Sequence, residues 1–165
     1  MRIIGIDPGY AIVGYGVLEY ASGKFKTIDY GAIRTAADKS FDQRLFEIYT
    51  DLGTILDEYN PQLMALERIF FTTNQKTAID VAQARGAIML SAASRGIKIA
   101  EYTPLQVKSA VTGYGKAVKK QIQEMTARIL SLDAIPKPDD VADALAVAIC
   151  GAHSFQITNN ISNNR

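Results

Sequence analysis

Four acidic residues in this chain close or open segments that are otherwise apolar, and acids so placed can hold hard cations. Asp7 follows Ile3-Ile4-Gly5-Ile6, and Glu67 follows Met64-Ala65-Leu66. Asp140 and Asp143 stand at the start of an apolar run, Ala144-Leu145-Ala146-Val147-Ala148-Ile149-Cys150. Three residues apart on a helix, they project from one face. Each acid alone has an ordinary explanation. An acid at a strand end is commonly turn chemistry, and one that opens a helix is commonly a cap or dipole partner, which is the reading for Asp139 just after Pro138. Two strand-end acids and a helical pair can also converge, and four converging carboxylates repel unless cations neutralise them. Oxygen ligands without a Cys or His cluster select Mg²⁺ or Mn²⁺. The one histidine, His153, is read as structural or surface.

The elements that must position these acids follow from periodicity. Residues 2–7 form a β-branched strand that ends at Pro8-Gly9, where proline cannot donate to a ladder. Val13 to Tyr20 and Phe25 to Ile33 read as two more strands around a Ser22-Gly23 turn, giving an antiparallel meander. From Phe41 to Tyr59 the apolar residues recur at steps of three and four, as in an amphipathic helix, and Asn60-Pro61 ends it. Leu63 to Glu67 reads as a strand buried on both faces, Ala78 to Ser94 as an alanine-rich helix, and Ile97 to Glu101 as a fifth strand. A short helix near Leu105 to Val111, a Gly-Tyr-Gly loop at 113–115 and a helix from Lys119 to Leu130 follow. Pro136 and Pro138 open a last helix to about Ala152, and a tail from Thr158 is expected to be disordered. The order predicts one α/β domain over 1–157, a mixed five-stranded sheet (antiparallel meander plus parallel strands) with helices on both faces, and a tail over 158–165.

A chain of 165 residues can bury roughly 70% of its unfolded surface, enough for one core without staples. No run of eighteen apolar residues is present, so neither a membrane span nor a secretory signal is expected. The single cysteine, Cys150, fits a reducing compartment, most simply the cytoplasm. The net charge of +1 hides an asymmetry. Seven acids and two bases lie between Asp38 and Glu67, whereas Pro104 to Arg128 carries Lys108, Lys116, Lys119, Lys120 and Arg128 against Glu124 alone. Such a local basic segment suits a phosphate backbone, or else a solvated helix face.

These residues also carry a resemblance. Ile4-Gly5-Ile6-Asp7-Pro8-Gly9, Ala65-Leu66-Glu67 with an aromatic three residues on, and Asp140-x-x-Asp143-Ala144-Leu145-Ala146 resemble the RuvC family of Holliday junction resolvases. Gln83-Ala84-Arg85-Gly86 and the stretch from Gln106-Val107-Lys108 to Gly113-Tyr114-Gly115 are similar too, and the match runs from Met1 to about Gly151. The resemblance implies an RNase H-like fold, a homodimer, and paired nicking of a four-way DNA junction in recombination and repair. It also implies cooperation with a branch-migration complex (RuvA and RuvB). Its four acids, which bind two Mg²⁺ ions, map onto Asp7, Glu67, Asp140 and Asp143, leaving Asp139 outside. Lys108 and Lys119 match its DNA-contacting bases, Lys116 and Lys120 extend that patch, and Phe70 matches an aromatic that stacks on bases at the opened junction. Phe71 is read as a core plug.

Phosphodiester hydrolysis needs an in-line water and a stabilised leaving oxygen, which two cations about 3.5–4 Å apart supply. Asp7 is the candidate to bridge both, and the alanine-rich helix at 78–94 is the candidate dimer face. Three other readings stand beside this one at the level of sequence. They are a nuclease for RNA–DNA hybrids or flaps, a junction-binding protein without catalysis, and a small sugar-kinase-like ATPase.

Overall fold

A computed structural model describes residues 1–68 and 75–163. The elements run β1 (Arg2–Asp7), β2 (Ile12–Ala21), β3 (Lys24–Arg34), α1 (Phe41–Tyr59), β4 (Leu63–Glu67), α2 (Gln75–Ala93), β5 (Lys98–Tyr102), α3 (Pro104–Thr112), α4 (Lys119–Ile129) and α5 (Asp139–Asn163). The strands form one sheet in the order β3-β2-β1-β4-β5, antiparallel from β1 through β3 and parallel from β1 through β5. This is the expected mixed sheet. Ser22 and Gly23, with φ of 50° and 77°, make the two-residue turn between β2 and β3. Two positive φ values in a row match the twist of the flanking strands.

Alternation along the central strands assigns each side chain to a layer. Ile4 and Ile6 of β1 and Met64 and Leu66 of β4 pack with Ile48, Leu52 and Leu56 of α1 and Ala84, Ile88 and Ala92 of α2. Ile3 of β1 and Leu63 and Ala65 of β4 face the other way, onto Val107 and Val111 of α3, Ile122 of α4 and Leu145 to Ala152 of α5. Helices therefore cover both faces. Asp7 and Glu67 share the parity of Ile3, Leu63 and Ala65, so each points to the side where α5 lies.

α5 is buried on every side from Ala144 to Ala152, as a helix apolar all round must be. Its close seat depends on glycines in the strands beneath it. A Cβ on Gly5 would fall 2.1 Å from the Ala144 carbonyl oxygen, and one on Gly14 would fall 2.0 Å from that of Asp140. On Gly16 it would meet the Leu145 side chain at 2.4 Å.

The last helix corrects one expectation. It was expected to end near Ala152 with an unstructured tail from Thr158, yet it continues to Asn163. No proline or glycine follows Gly151 to stop it, and Phe155 still packs against the core. Other boundaries differ from expectation by one to three residues: α2 starts at Gln75 and β5 ends at Tyr102.

Gly5→Ala is expected to destabilise the fold by about 1–3 kcal/mol, the usual penalty for overpacking. Urea unfolding should show a lower midpoint with an unchanged slope. An unchanged midpoint would mean that α5 can move off β1 freely.

Candidate active site

Register and helix packing bring the four predicted acids into one region. β1 and β4 run parallel with Ile6 beside Leu66, so their next residues, Asp7 and Glu67, end adjacent strands at the same edge. Gly14 of β2 lies directly across from Asp7. Because Gly14 lacks a Cβ, the Asp140 carbonyl can sit over it, and the first turn of α5 comes down beside Asp7. Asp140 and Asp143 then act on Asp7 from the helix while Glu67 acts from the neighbouring strand.

The electrostatics report this crowding. Burial pushes the Asp7 carboxyl well above the ordinary carboxylate range, and the charges of Asp143, Glu67 and Asp140 push it further, against the opposing pull of Lys119. Glu67 is raised by burial and by Asp143, with Lys108 and Lys119 opposing. Asp143 is raised by burial, which the Lys119 ammonium beside it does not outweigh. Asp7 is the acid on which the charges of the other three converge together with the heaviest burial.

Lys108 and Lys119 stand closer to this site than the sequence indicated. A cavity of about 190 Å³ is lined by two of the acids, Glu67 and Asp143, by Lys108 and Lys119, and by the apolar side chains of Val107, Ile122 and Val147. Lys119 Nζ lies 2.9 Å from Asp143 Oδ2 and 3.5 Å from Asp139 Oδ2. Asp139 is also tied to Lys137 at 2.7 Å and drops below the usual range chiefly for that reason. Asp139 thus shares Lys119 with Asp143 and has Lys137 to itself. A larger cavity of about 270 Å³ lies against α4, lined by Thr112, Tyr114, Gln121 and Arg128 among others, and contains none of the four acids.

The remaining assignments divide. Lys116 is exposed, and Lys120, also exposed, lies 3.8 Å from Glu124 one turn on. Both are on the α3–α4 side of the molecule, outside the smaller cavity. Phe70 and Phe71 lie outside the described residues. His153 packs edge-on against Phe25 and Tyr20, with ring centroids 5.4 and 5.9 Å away, a structural position as expected.

Two supports were not foreseen. The loop after Asp7 is held by Thr35, whose hydroxyl donates to the Tyr10 carbonyl at 2.6 Å and accepts from Arg44 Nε at 2.9 Å. The Arg44 guanidinium also lies 4.7 Å over the Tyr10 ring. Beyond Glu67, the Arg68 amide donates to the Tyr102 carbonyl at 2.8 Å, and Glu101 pairs with both Arg68 and Arg85 of α2. The glycines in β1 and β2 were the one available signal for close packing, since a glycine inside a strand marks a close approach. No spacing rule connects Arg44 to Thr35, or Glu101 to Arg85.

The donor set suits a hard divalent cation in kind: carboxylate oxygens, partly buried, in a field of their own making that a cation would relieve. Among the described residues no group of three or more such side chains is already arranged around one ion position. One oxygen of Asp143 is instead engaged by Lys119.

An acid with a raised folded pKa leaves stability untouched below the ordinary carboxylate range, where folded and unfolded chains are both protonated. Stability is lost as pH rises from there through the folded value, because the unfolded chain ionises first. Asp7→Asn removes that loss. In EDTA near neutral pH its Tm should exceed that of the wild type, and the difference should shrink as pH falls toward the ordinary carboxylate value. A lower Tm across the whole range would contradict the strained carboxylate.

Comparison with known proteins agrees with the geometry. Residues 3–151 match the family model described as crossover junction endodeoxyribonuclease RuvC. The crossover junction endodeoxyribonuclease RuvC of Clostridioides difficile is 55% identical over 163 residues, covering 99% of this chain and 96% of the relative. The Thermus thermophilus RuvC structure superposes with a TM-score of 0.88 at 30% identity, covering 96% of this chain and 97% of that one. The same protein in complex with a Holliday junction substrate gives 0.87 at 28% identity, covering 95% and 96%. The chain thus has the RNase H-like fold of those structures and belongs to the RuvC family of crossover junction endodeoxyribonucleases.

Proposed function

We propose that this chain resolves four-way DNA junctions by paired, symmetric nicks, hydrolysing phosphodiesters at a site where Asp7, Glu67, Asp140 and Asp143 hold two Mg²⁺ ions, with Mn²⁺ a possible substitute. The observation that carries this reading is the gathering of four acids from β1, β4 and α5, with two lysines beside Glu67 and Asp143, in a chain of this family. Bound cations supply activation of an in-line water and neutralisation of the leaving oxygen, leaving a 5′-phosphate and a 3′-hydroxyl. Asp7 would be the carboxylate to lie between the ions, since it ends the central strand with Glu67 beside it and Asp140 and Asp143 acting on it from α5. Its burial withholds competing water, and the Thr35–Tyr10 bond keeps the following loop from relaxing away.

Lys108 and Lys119, which line the same cavity as Glu67 and Asp143, are assigned to holding the scissile phosphate. Lys116 and Lys120 extend the positive surface along the DNA backbone. Such contacts position DNA without reading its sequence, and each contributes about 0.9 to the salt dependence of binding. Phe70, three residues beyond Glu67, is assigned to stacking on a base at the opened crossover.

Two symmetric nicks call for two sites related by a two-fold axis. The exposed face of α2 supports a homodimer: Ile79 and Leu90 are 70% and 61% exposed and lie three turns apart on one side of the helix, with Gly86 between them. RuvA and RuvB are proposed as the branch-migration partners on the family resemblance alone.

Cleavage of a mobile four-way junction, a linear duplex and an RNA–DNA hybrid in Mg²⁺ tests the reading. The junction should be cut preferentially, and preference for the hybrid would overturn the substrate assignment. Asp7→Asn should slow nicking by more than about 100-fold while junction binding persists, since loss of even an outer partner of a metal site costs 10–100-fold. Nicking by that variant at the wild-type rate would remove the metal site from the mechanism.

A further inference from the structure

We infer that Lys119 is an exchangeable counter-ion of the carboxylate site, which gives up Asp143 to an incoming divalent cation and passes its own charge to a DNA phosphate. The inference rests on the reading of the four acids as cation ligands. Lys119 is the first residue of α4, and Lys120 follows it, with no acid in that turn. A cation at the start of a helix stands at the unfavourable end of the dipole, so helix formation gives no reason for a lysine there. Its partners supply one. Nζ lies 2.9 Å from Asp143 Oδ2 and 3.5 Å from Asp139 Oδ2, and the same ammonium opposes the charges of Asp7 and Glu67.

A divalent cation that takes Asp143 as a ligand therefore competes with Lys119 for that carboxylate, and two positive charges on one carboxyl group repel. Lys119 is free to leave on two counts. Its side chain is 56% exposed, and its flexible stem ends in a compact, well-hydrated charge. Lys108 lines the same cavity but forms no ion pair among the described residues, which makes it the natural control. A phosphate brought over the cavity offers the displaced ammonium a new partner. Cation loading and substrate grip then become coupled, each strengthening the other.

The test uses the full chain and Mn²⁺ alone, without turnover. Calorimetric titration should show Lys119→Met binding Mn²⁺ about tenfold more tightly than the wild type, the size of one screened charge at this range. Lys119→Arg, which keeps the charge, should stay near wild type, and Lys108→Met should change affinity much less than Lys119→Met. A second readout is the salt dependence of junction binding in Ca²⁺ against EDTA. The wild type should gain about 0.9 in slope with Ca²⁺, one additional phosphate contact, and Lys119→Met should gain none. If the wild type binds Mn²⁺ and Asp7→Asn does not, yet Lys119→Met binds no more tightly than wild type, the exchange is wrong and the metal site stands. If the wild type binds no Mn²⁺, the carboxylate reading falls and this inference with it.

Discussion

The structure is organised around one close contact, the seat of α5 on the glycines of β1 and β2. Gly5, Gly14 and Gly16 leave no Cβ between strand and helix, and carbonyl oxygens of the helix occupy the space over Gly5 and Gly14. An apolar helix gains from this burial on all sides, and that gain is what brings its first turn, with Asp140 and Asp143, against Asp7. The acids do not attract one another. They are held together by the apolar packing behind them, in the manner of a site whose strain is borne by the surrounding fold. The buried run from Ala144 to Ala152 is thus part of the candidate site's construction, and its Ala146 and Val147 line the same cavity as Glu67 and Asp143.

The same contact sets the electrostatic problem. Burial is the largest influence on Asp7, Glu67 and Asp143 alike, ahead of any single charge. Lysines answer it from two helices of the same layer. Lys108 comes from α3 and Lys119 from the start of α4, while Val107 and Ile122 of the same helices pack in one core cluster with α5. The lysines and the acids therefore belong to one packed layer, and neither set can drift without disturbing apolar contacts. Lys116 and Lys120, further out, stay exposed.

Much of this was legible in the residues. The alternation of Ile3 against Ile4 and Ile6, and of Leu63 and Ala65 against Met64 and Leu66, contains the two layers, and the i, i+3 spacing of Asp140 and Asp143 contains their shared face. What stayed hidden depends on distance in sequence. Lys119 and Asp143 are 24 positions apart, and nothing local says that one reaches the other. Glycines in β2 announce a close approach but not its partner, which lies in a helix more than a hundred residues further on. The end of α5 was misjudged for a different reason. Polar composition after Thr158 suggests a lack of packing, but a helix already under way continues through such residues until something interrupts it.

The mixed sheet explains why the site lies where it does. Among the described residues β1 is the only strand with an antiparallel neighbour on one side, β2, and a parallel one on the other, β4. Its carboxyl end is consequently bordered by the start of β2, where Gly14 admits the helix, and by the end of β4, where Glu67 projects in the same direction as Asp7. A fully antiparallel sheet would turn the β4 end away, and a fully parallel one would replace the hairpin that puts Gly14 opposite Asp7. Acids from two strands and a helix can converge here because the sheet changes sense at this strand.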